Sequence, residues 1–414
     1  MNKRIYLCLA HMSGNEQKYI QEAFDTNWVV PLGPNVNGFE QDLKDFVGAD
    51  REVVALASGT AAIHLALVAS GVGQGDEVIC QSFTFCASAN PVTYVGATPV
   101  FVDSEQDSWN MDPELLERAI NDRKQHTGHY PKAIILVYLY GMPARINEIM
   151  AIANKYQISV IEDAAEGFGS KYDNQICGTF GDYGVLSFNG NKMITTSGGG
   201  ALICKDADAK NKIMWYATQA REAFPYYQHE AVGFNYRLSN ICAGIGRGQM
   251  TVINDHLAHH KHIAQLYKKA FAQVKGITFH DNPAPNYDAN FWLSTILIDG
   301  NLQVKGQERA YQTAVQGAVG GAAGVVHASG AIHTDCEPHA NVEAMRMALE
   351  EAGIESRPLW KPMHKQPVFQ KNPAYVNGVS EDLFKCGLCL PSGPMVTDED
   401  VQYIIDTVKN NIIQ

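Results

Sequence analysis

Residues 52–81 read EVVALASGTAAIHLALVASGVGQGDEVICQ, and this stretch decides the fold class. Glu52–Ala57 is a short apolar run of strand length. Gly59–Ser70 carries apolar residues at helical spacing, and Glu77–Gln81 is apolar and short again. The alternation continues outward. Strands are predicted at Thr98–Val102, Ala133–Tyr140 and Ser159–Glu162, with a helix over Ala144–Tyr156. Strands that alternate with helices form a mainly parallel sheet covered on both faces. Ligands bind such sheets outside the carboxyl ends of the strands.

Beyond Lys205 the pattern changes. Ser239–Met250 and Asp255–Val274 read as helices, Ile277–His280 and Phe291–Ile298 as strands. Asn341–Ala352 reads as a helix, Ile354–Pro358 as a short strand and Asp398–Asn411 as a closing helix. The expectation is a large domain over residues 1–255 and a smaller α+β domain over 256–414. Residues 302–340, which contain QGAVGGAAGVVHASGAIH, fit no helix or strand pattern and read as an insertion or long loop. No internal repeat stands out.

The chain has 414 residues, 46% of them hydrophobic and 18% charged. That is an ordinary globular composition, long enough for one large core and a second unit. The net charge of −12 and the absence of any basic run longer than two argue against nucleic acid or an anionic membrane as partner. The longest apolar stretch, Ala133–Tyr140, is too short to cross a bilayer, and the N-terminus is not a convincing signal peptide. Nine cysteines at irregular spacing read as reduced, mostly buried thiols of a cytoplasmic protein. Cys386-Gly-Leu-Cys389 is a lone CxxC without a partner pair.

Several segments could carry chemistry. Ser58-Gly59-Thr60 stands where a strand passes into a helix, which suits either an ordinary N-cap or a phosphate cradle. Asp163 ends the strand of Ile161-Glu162-Asp163, so its carboxylate pairs with a ligand cation or caps a helix. Lys192 follows the apolar strand ending in Ser187-Phe188, and a second apolar strand follows Ser197-Gly198-Gly199-Gly200. A lysine between buried strands either snorkels from its loop or is used covalently, because a desolvated amine makes a Schiff base readily. Phe85 follows another strand end and reads as core or as an aromatic that stacks on a flat ring. His256 and His260 form an i, i+4 pair with no companion Cys or acidic cluster, so the reading is a solvated helix face and no metal. No GxGxxG follows the first strand, which argues against a nicotinamide-dependent dehydrogenase.

Taken together, SGTAAIHLAL (58–67), SFTFCASANPVTYVGATPVFVD (82–103), IEDAAEGFGS (161–170), GTFGDYGVLSFNGNKMITTSGGG (178–200), GFNYRLSNICAGIG (233–246) and ESRPLWKPMHKQPVF (355–369) resemble the DegT/DnrJ/EryC1/StrS sugar aminotransferases. The resemblance spans nearly the whole chain except 302–340. It implies a fold-type-I pyridoxal-phosphate aminotransferase with a mainly parallel seven-stranded sheet sandwiched by helices. It further implies a homodimer with shared active sites. Carried over by motif, Lys192 forms the Schiff base and Asp163 pairs with the pyridinium nitrogen, while Phe85 stacks on the ring. Gly59, Thr60 and Ser187, with neighbouring Ser58, hold the phosphate, and Asn235 reaches it from the second subunit. Glu166 stands where relatives often have Gln and contacts the cofactor or the sugar. Lys361, His364 and Gln366 resemble a segment near the nucleotide-sugar site.

The implied substrates are L-glutamate and a nucleotide-linked keto sugar. SFNGNK and WKPMHKQP are most similar to enzymes acting on UDP-linked 4-keto-6-deoxy sugars in bacillosamine-type pathways. GDP- or dTDP-linked sugars, or a non-catalytic regulatory protein of the same fold, are the alternatives. Some relatives carry His in place of the lysine and dehydrate their substrate; Lys192 argues for transamination.

Overall fold

In the computed structural model, residues 4–48, 50–310 and 336–413 are described. The large sheet is built from β1 (Glu52–Leu56), β2 (Glu77–Gln81), β3 (Thr98–Val102), β4 (Ala133–Val137) and β5 (Ser159–Asp163). A small excursion, β6 (Lys171–Tyr172) and β7 (Gln175–Ile176), precedes β8 (Tyr183–Ser187) and β9 (Gly200–Cys204). The spatial order is β1-β9-β8-β5-β4-β2-β3, and Ala374–Tyr375 adds a short eighth strand beside β3. Every neighbouring pair is parallel except those made by β9, which runs antiparallel to both β1 and β8.

Both faces of this sheet are buried. Along β4, Ile134 and Leu136 enter one apolar core while Ala133 and Ile135 enter another. This is why these strands read as continuous apolar runs rather than as alternating ones. Ala133–Tyr140 stops being a strand at Val137, because Tyr140 takes φ 53° and turns the chain.

The first fifty residues contribute two helices that the pattern reading left unassigned, α1 (Glu16–Asp25) and α2 (Pro34–Val47). Both pack on the helix Asn240–Met250, whose glycines permit close approach. A Cβ on Gly246 would stand 2.6 Å from the Phe39 ring.

A four-stranded antiparallel sheet lies in the C-terminal part: Ile277–Phe279, Ser294–Ile298, Gly387–Leu390 and Arg357–Pro358 in spatial order. The helices Ile253–Phe271, Ala340–Glu351 and Asp398–Asn411 share its apolar core. The position 255/256 falls inside Ile253–Phe271, and Ala374–Tyr375 returns to the large sheet. Residues 311–335, the greater part of the 302–340 segment, lie outside the described residues. Among the described residues no helix is long and apolar enough to cross a membrane.

Candidate active site

The carboxyl ends of β1, β2, β5 and β8 converge on one cavity of about 360 Å³. From β1 comes the turn into α3 (Gly59–Ala69). Ser58 caps this helix, its Oγ accepting from Ala61 N at 3.0 Å. The N–H groups of Gly59 and Thr60 lie in the first helical turn and have no intrahelical acceptor, so they remain available at the positive end of the helix. All three residues line the cavity, as does Ser187 at the end of β8. β9 passes very close here: a Cβ on Gly200 would stand 2.4 Å from Gly59 N.

Asp163 closes the floor at the end of β5. It is 5% exposed, and its carboxylate accepts from Ser88 Oγ at 2.6 Å and Ala165 N at 3.2 Å. Burial pushes its pKa upward, and the pull of Ser88, Ala165 and Lys192 does not offset that. The neighbouring Glu162 faces the opposite side of the sheet. It is fully buried and accepts from Gly178 N and Phe180 N at 2.7 Å each, Gly181 N at 2.5 Å and the Tyr138 hydroxyl.

Lys192 sits in the hairpin loop that joins β8 to β9, its N–H donating to Asn189 O at 2.9 Å. Its side chain reaches the cavity, with Nζ 3.5 Å from Glu166 Oε1 and 3.9 Å from the Trp292 ring centroid. Glu166 Oε2 accepts from Tyr140 N at 2.7 Å. Burial raises the Glu166 pKa, and the Lys192 charge opposes that rise most strongly. Phe85 is not core: it is 48% exposed, lines the cavity and lies 5.2 Å from the Trp360 ring.

The structure therefore brings Ser58, Gly59, Thr60, Phe85, Asp163, Glu166, Ser187 and Lys192 together. Asn235 does not line this cavity; it is exposed, beside Arg237, whose guanidinium pairs with Glu40 at 2.5 Å. Lys361, His364 and Gln366 do not line it either. They form an adjoining knot. His364 is held between Ser82 Oγ (2.7 Å from Nδ1) and Glu381 Oε1 (3.2 Å from Nε2). Lys361 Nζ donates to Cys336 O at 2.9 Å, and Gln366 Nε2 donates to Lys361 O at 3.3 Å.

Four participants escaped sequence reasoning. Ser88 lies inside the SFTFCASANP stretch and Trp360 immediately precedes Lys361, so both were near recognised motifs. Trp292 read as ordinary strand core, and Tyr140 as the end of a strand.

The histidine reading needs correction. His256 and His260 are buried, not solvated. His256 is bonded to Met193 O and to His11, and His260 to Phe291 O, so that helix face is an internal contact surface. Among the described residues no group of three or more His, Cys, Asp or Glu could hold a metal.

Against known proteins, residues 10–320 and 313–409 match the model of the DegT/DnrJ/EryC1/StrS aminotransferase family. The chain belongs to that family. EpsN of Bacillus subtilis strain 168, provisionally named a pyridoxal phosphate-dependent aminotransferase, is 44% identical over 99% of this chain and 96% of its own length. GDP-perosamine synthase of Escherichia coli O157:H7 is 32% identical over 96% of this chain and 95% of its own. The crystal structure of a DegT/DnrJ/EryC1/StrS aminotransferase from Brucella abortus superposes with a TM-score of 0.82 at 28% identity, covering 96% of this chain and 95% of that one. The DegT-family chain described here is thus a pyridoxal-phosphate-dependent aminotransferase of the fold-type-I architecture. The cavity suits that cofactor on its own chemistry. A buried carboxylate pushed upward by desolvation wants a cationic partner such as a protonated ring nitrogen. A helix start with free N–H groups and two nearby hydroxyls wants a phosphate.

Proposed function

We propose that this aminotransferase moves the amino group of L-glutamate onto a keto sugar carried by a nucleoside diphosphate, with UDP-linked 4-keto-6-deoxy sugars preferred. The product would enter surface-polysaccharide or glycan precursor synthesis. What carries the reading is the meeting of the Lys192 amine, the under-compensated buried carboxylate of Asp163 and one open helix start in a single cavity. The sugar class is supported by the SFNGNK and WKPMHKQP wording and by the similarity to GDP-perosamine synthase.

In this reading the cofactor supplies an electron sink for the carbon that loses its proton. Asp163 keeps the ring nitrogen protonated, and Phe85 covers the ring face. Ser58, Gly59, Thr60 and Ser187 hold the phosphate. Lys192 would hold the cofactor through its amine, and that amine is placed to take the α-proton of glutamate and to deliver a proton to the sugar carbon. Glu166 holds that amine inside the cavity. Lys361, His364 and Gln366 border the sugar's approach. Asn235 of a second copy completes the phosphate site. The exposed apolar side chains of Trp28, Val29, Leu32, Phe224, Tyr227 and Val232 support such a dimer.

The test is 2-oxoglutarate release from glutamate in the presence of UDP-, GDP- and dTDP-linked keto sugars. A kcat/KM at least about tenfold higher for the UDP-linked 4-keto-6-deoxy substrate is expected, a difference of about 1.4 kcal/mol in the transition state. The GDP-linked sugar as best substrate would instead favour the second reading, which the similarity to GDP-perosamine synthase supports. Release with none of the three refutes both.

A further inference from the structure

Trp292 is 2% exposed and would pass for core, yet neither its ring face nor its N–H is spent on core packing alone. Nε1 donates to Asn191 O at 2.7 Å, gripping the peptide immediately before Lys192. The ring lies 3.9 Å from Lys192 Nζ, within the distance at which an aromatic face attracts an ammonium. The indole is itself fixed from behind. Trp292 N donates to Asn290 Oδ1 at 2.8 Å, and Asn290 Nδ2 donates to Glu166 O at 2.9 Å and Phe168 O at 3.0 Å. Between them Phe291 holds φ 52°, a conformation that costs energy and persists where the surroundings enforce it. On its far side the same hairpin loop is tied by His256 Nδ1 to Met193 O at 3.0 Å and by Thr195 N to Gln249 Oε1 at 3.3 Å.

We propose that Trp292 is a positioning residue for Lys192: its N–H sets the loop, and its ring gives the lysine amine a resting place opposite Glu166. The lysine then has two cavity-wall partners between which it swings, and neither lets it escape to solvent. This rests on the reading of Lys192 as the reacting amine.

The experiment uses Trp292→Leu and Trp292→Phe in the full-length enzyme. The cofactor-free proteins are pulsed with an amine-acylating reagent, and labelling of each lysine is read by peptide mass spectrometry. Lys192 should label about tenfold faster in the Leu variant and about threefold faster in the Phe variant, which keeps a ring but cannot donate. In the glutamate half-reaction of the holoenzymes, kcat should fall about tenfold in the Leu variant, with KM for glutamate within about twofold of wild type. The Phe variant should recover to within about threefold of wild type. Wild-type labelling of Lys192 together with wild-type kcat in the Leu variant overturns the proposal. So does faster labelling shared with remote lysines such as Lys210 and Lys409, which marks general loosening. If the Leu variant does not fold, the Phe variant decides, and unchanged Lys192 labelling there overturns the clamp. Borohydride reduction of wild-type holoenzyme, followed by peptide mapping, tests the underlying reading separately: cofactor fixed to another lysine would sink the Lys192 assignment while leaving the labelling result intact.

Discussion

The cavity around Lys192 and the knot around His364 share one strand end, since Ser82 belongs to the knot and Phe85 to the cavity, but they treat polar groups in opposite ways. In the knot both nitrogens of His364 have protein partners, and Glu381 also receives Lys365 at 3.2 Å. Hydrogen bonds to its basic neighbours outweigh burial and hold the Glu381 pKa below the usual carboxylate range. In the cavity Asp163 and Glu166 are pushed above that range because burial exceeds what their neighbours return. Glu162 and Asp163, one residue apart on β5, are both raised by burial, but they differ in partners: four donors reach the first and two reach the second. A buried carboxylate with few protein donors that also lines a cavity, as Asp163 does, is placed for a ligand, whereas Glu162 is filled by protein donors and lines no part of the cavity.

The largest expected effect lies in the cavity. Lys192→Ala should lower glutamate-driven 2-oxoglutarate release by at least about a thousandfold and abolish the visible absorbance of the cofactor–lysine bond. Retained turnover would break the comparison at its centre. Asp163→Asn should cost about a hundredfold in kcat, the charge opposite the ring nitrogen being gone, while the fold survives.

In the knot the expected effects fall on stability. His364→Ala should lower unfolding free energy in urea by about 1–2 kcal/mol, as partners of a buried side chain are stranded. The glutamate half-reaction should stay within about threefold of wild type. A raised KM for the sugar alone would sharpen the comparison by assigning the knot to the sugar's side. A half-reaction as slow as that of Asp163→Asn would erase it.

The pH dependence of stability is the subtlest test. The raised pKa of Asp163 means that the cofactor-free fold binds more protons than the unfolded chain just above the ordinary carboxylate range, near pH 4. This group therefore makes the cofactor-free protein less stable as pH rises through that window, and Asp163→Asn should remove its share of the slope in urea titrations. His260 has the opposite sign. Burial depresses its pKa to about 3, so its neutral form stabilises the fold above the unfolded value of about 6.5, and that stability is lost as pH falls from there towards about 3. His260→Gln should flatten the acid limb.

Much of this was legible in the sequence for physical reasons. β2 and β3 were located to the residue because a parallel strand buried on both faces is a short apolar run bounded by polar turns. Lys192, Asp163 and Ser58 stood out because each sits where such a run ends. α1 and α2 were not read. Their hydrophobic stripes fit into glycine notches on Asn240–Met250, a partner far away in the chain. The burial of His256 and His260 was hidden in the same way, because the atoms they bond belong to the lysine hairpin and to Phe291. Trp292 was invisible as a site residue because its partner is a backbone carbonyl, which leaves no mark on side-chain identity. Lys361 and His364 were found by motif, but their internal partners Cys336, Ser82 and Glu381 are tertiary facts.

The antiparallel strand β9 has a consequence beyond geometry. It slots between β1 and β8, which are distant in sequence, and only then does Gly200 come up against the start of α3. In the proposed assignment the Ser58–Thr60 cradle, the lysine hairpin and the Asp163 floor come together only once β9 has paired with both β1 and β8, and such long-range pairings form slowly. A cofactor that spans all three would act as a latch on that closure, adding its binding free energy to the closed state. Bound cofactor would then slow proteolysis as well as enable turnover.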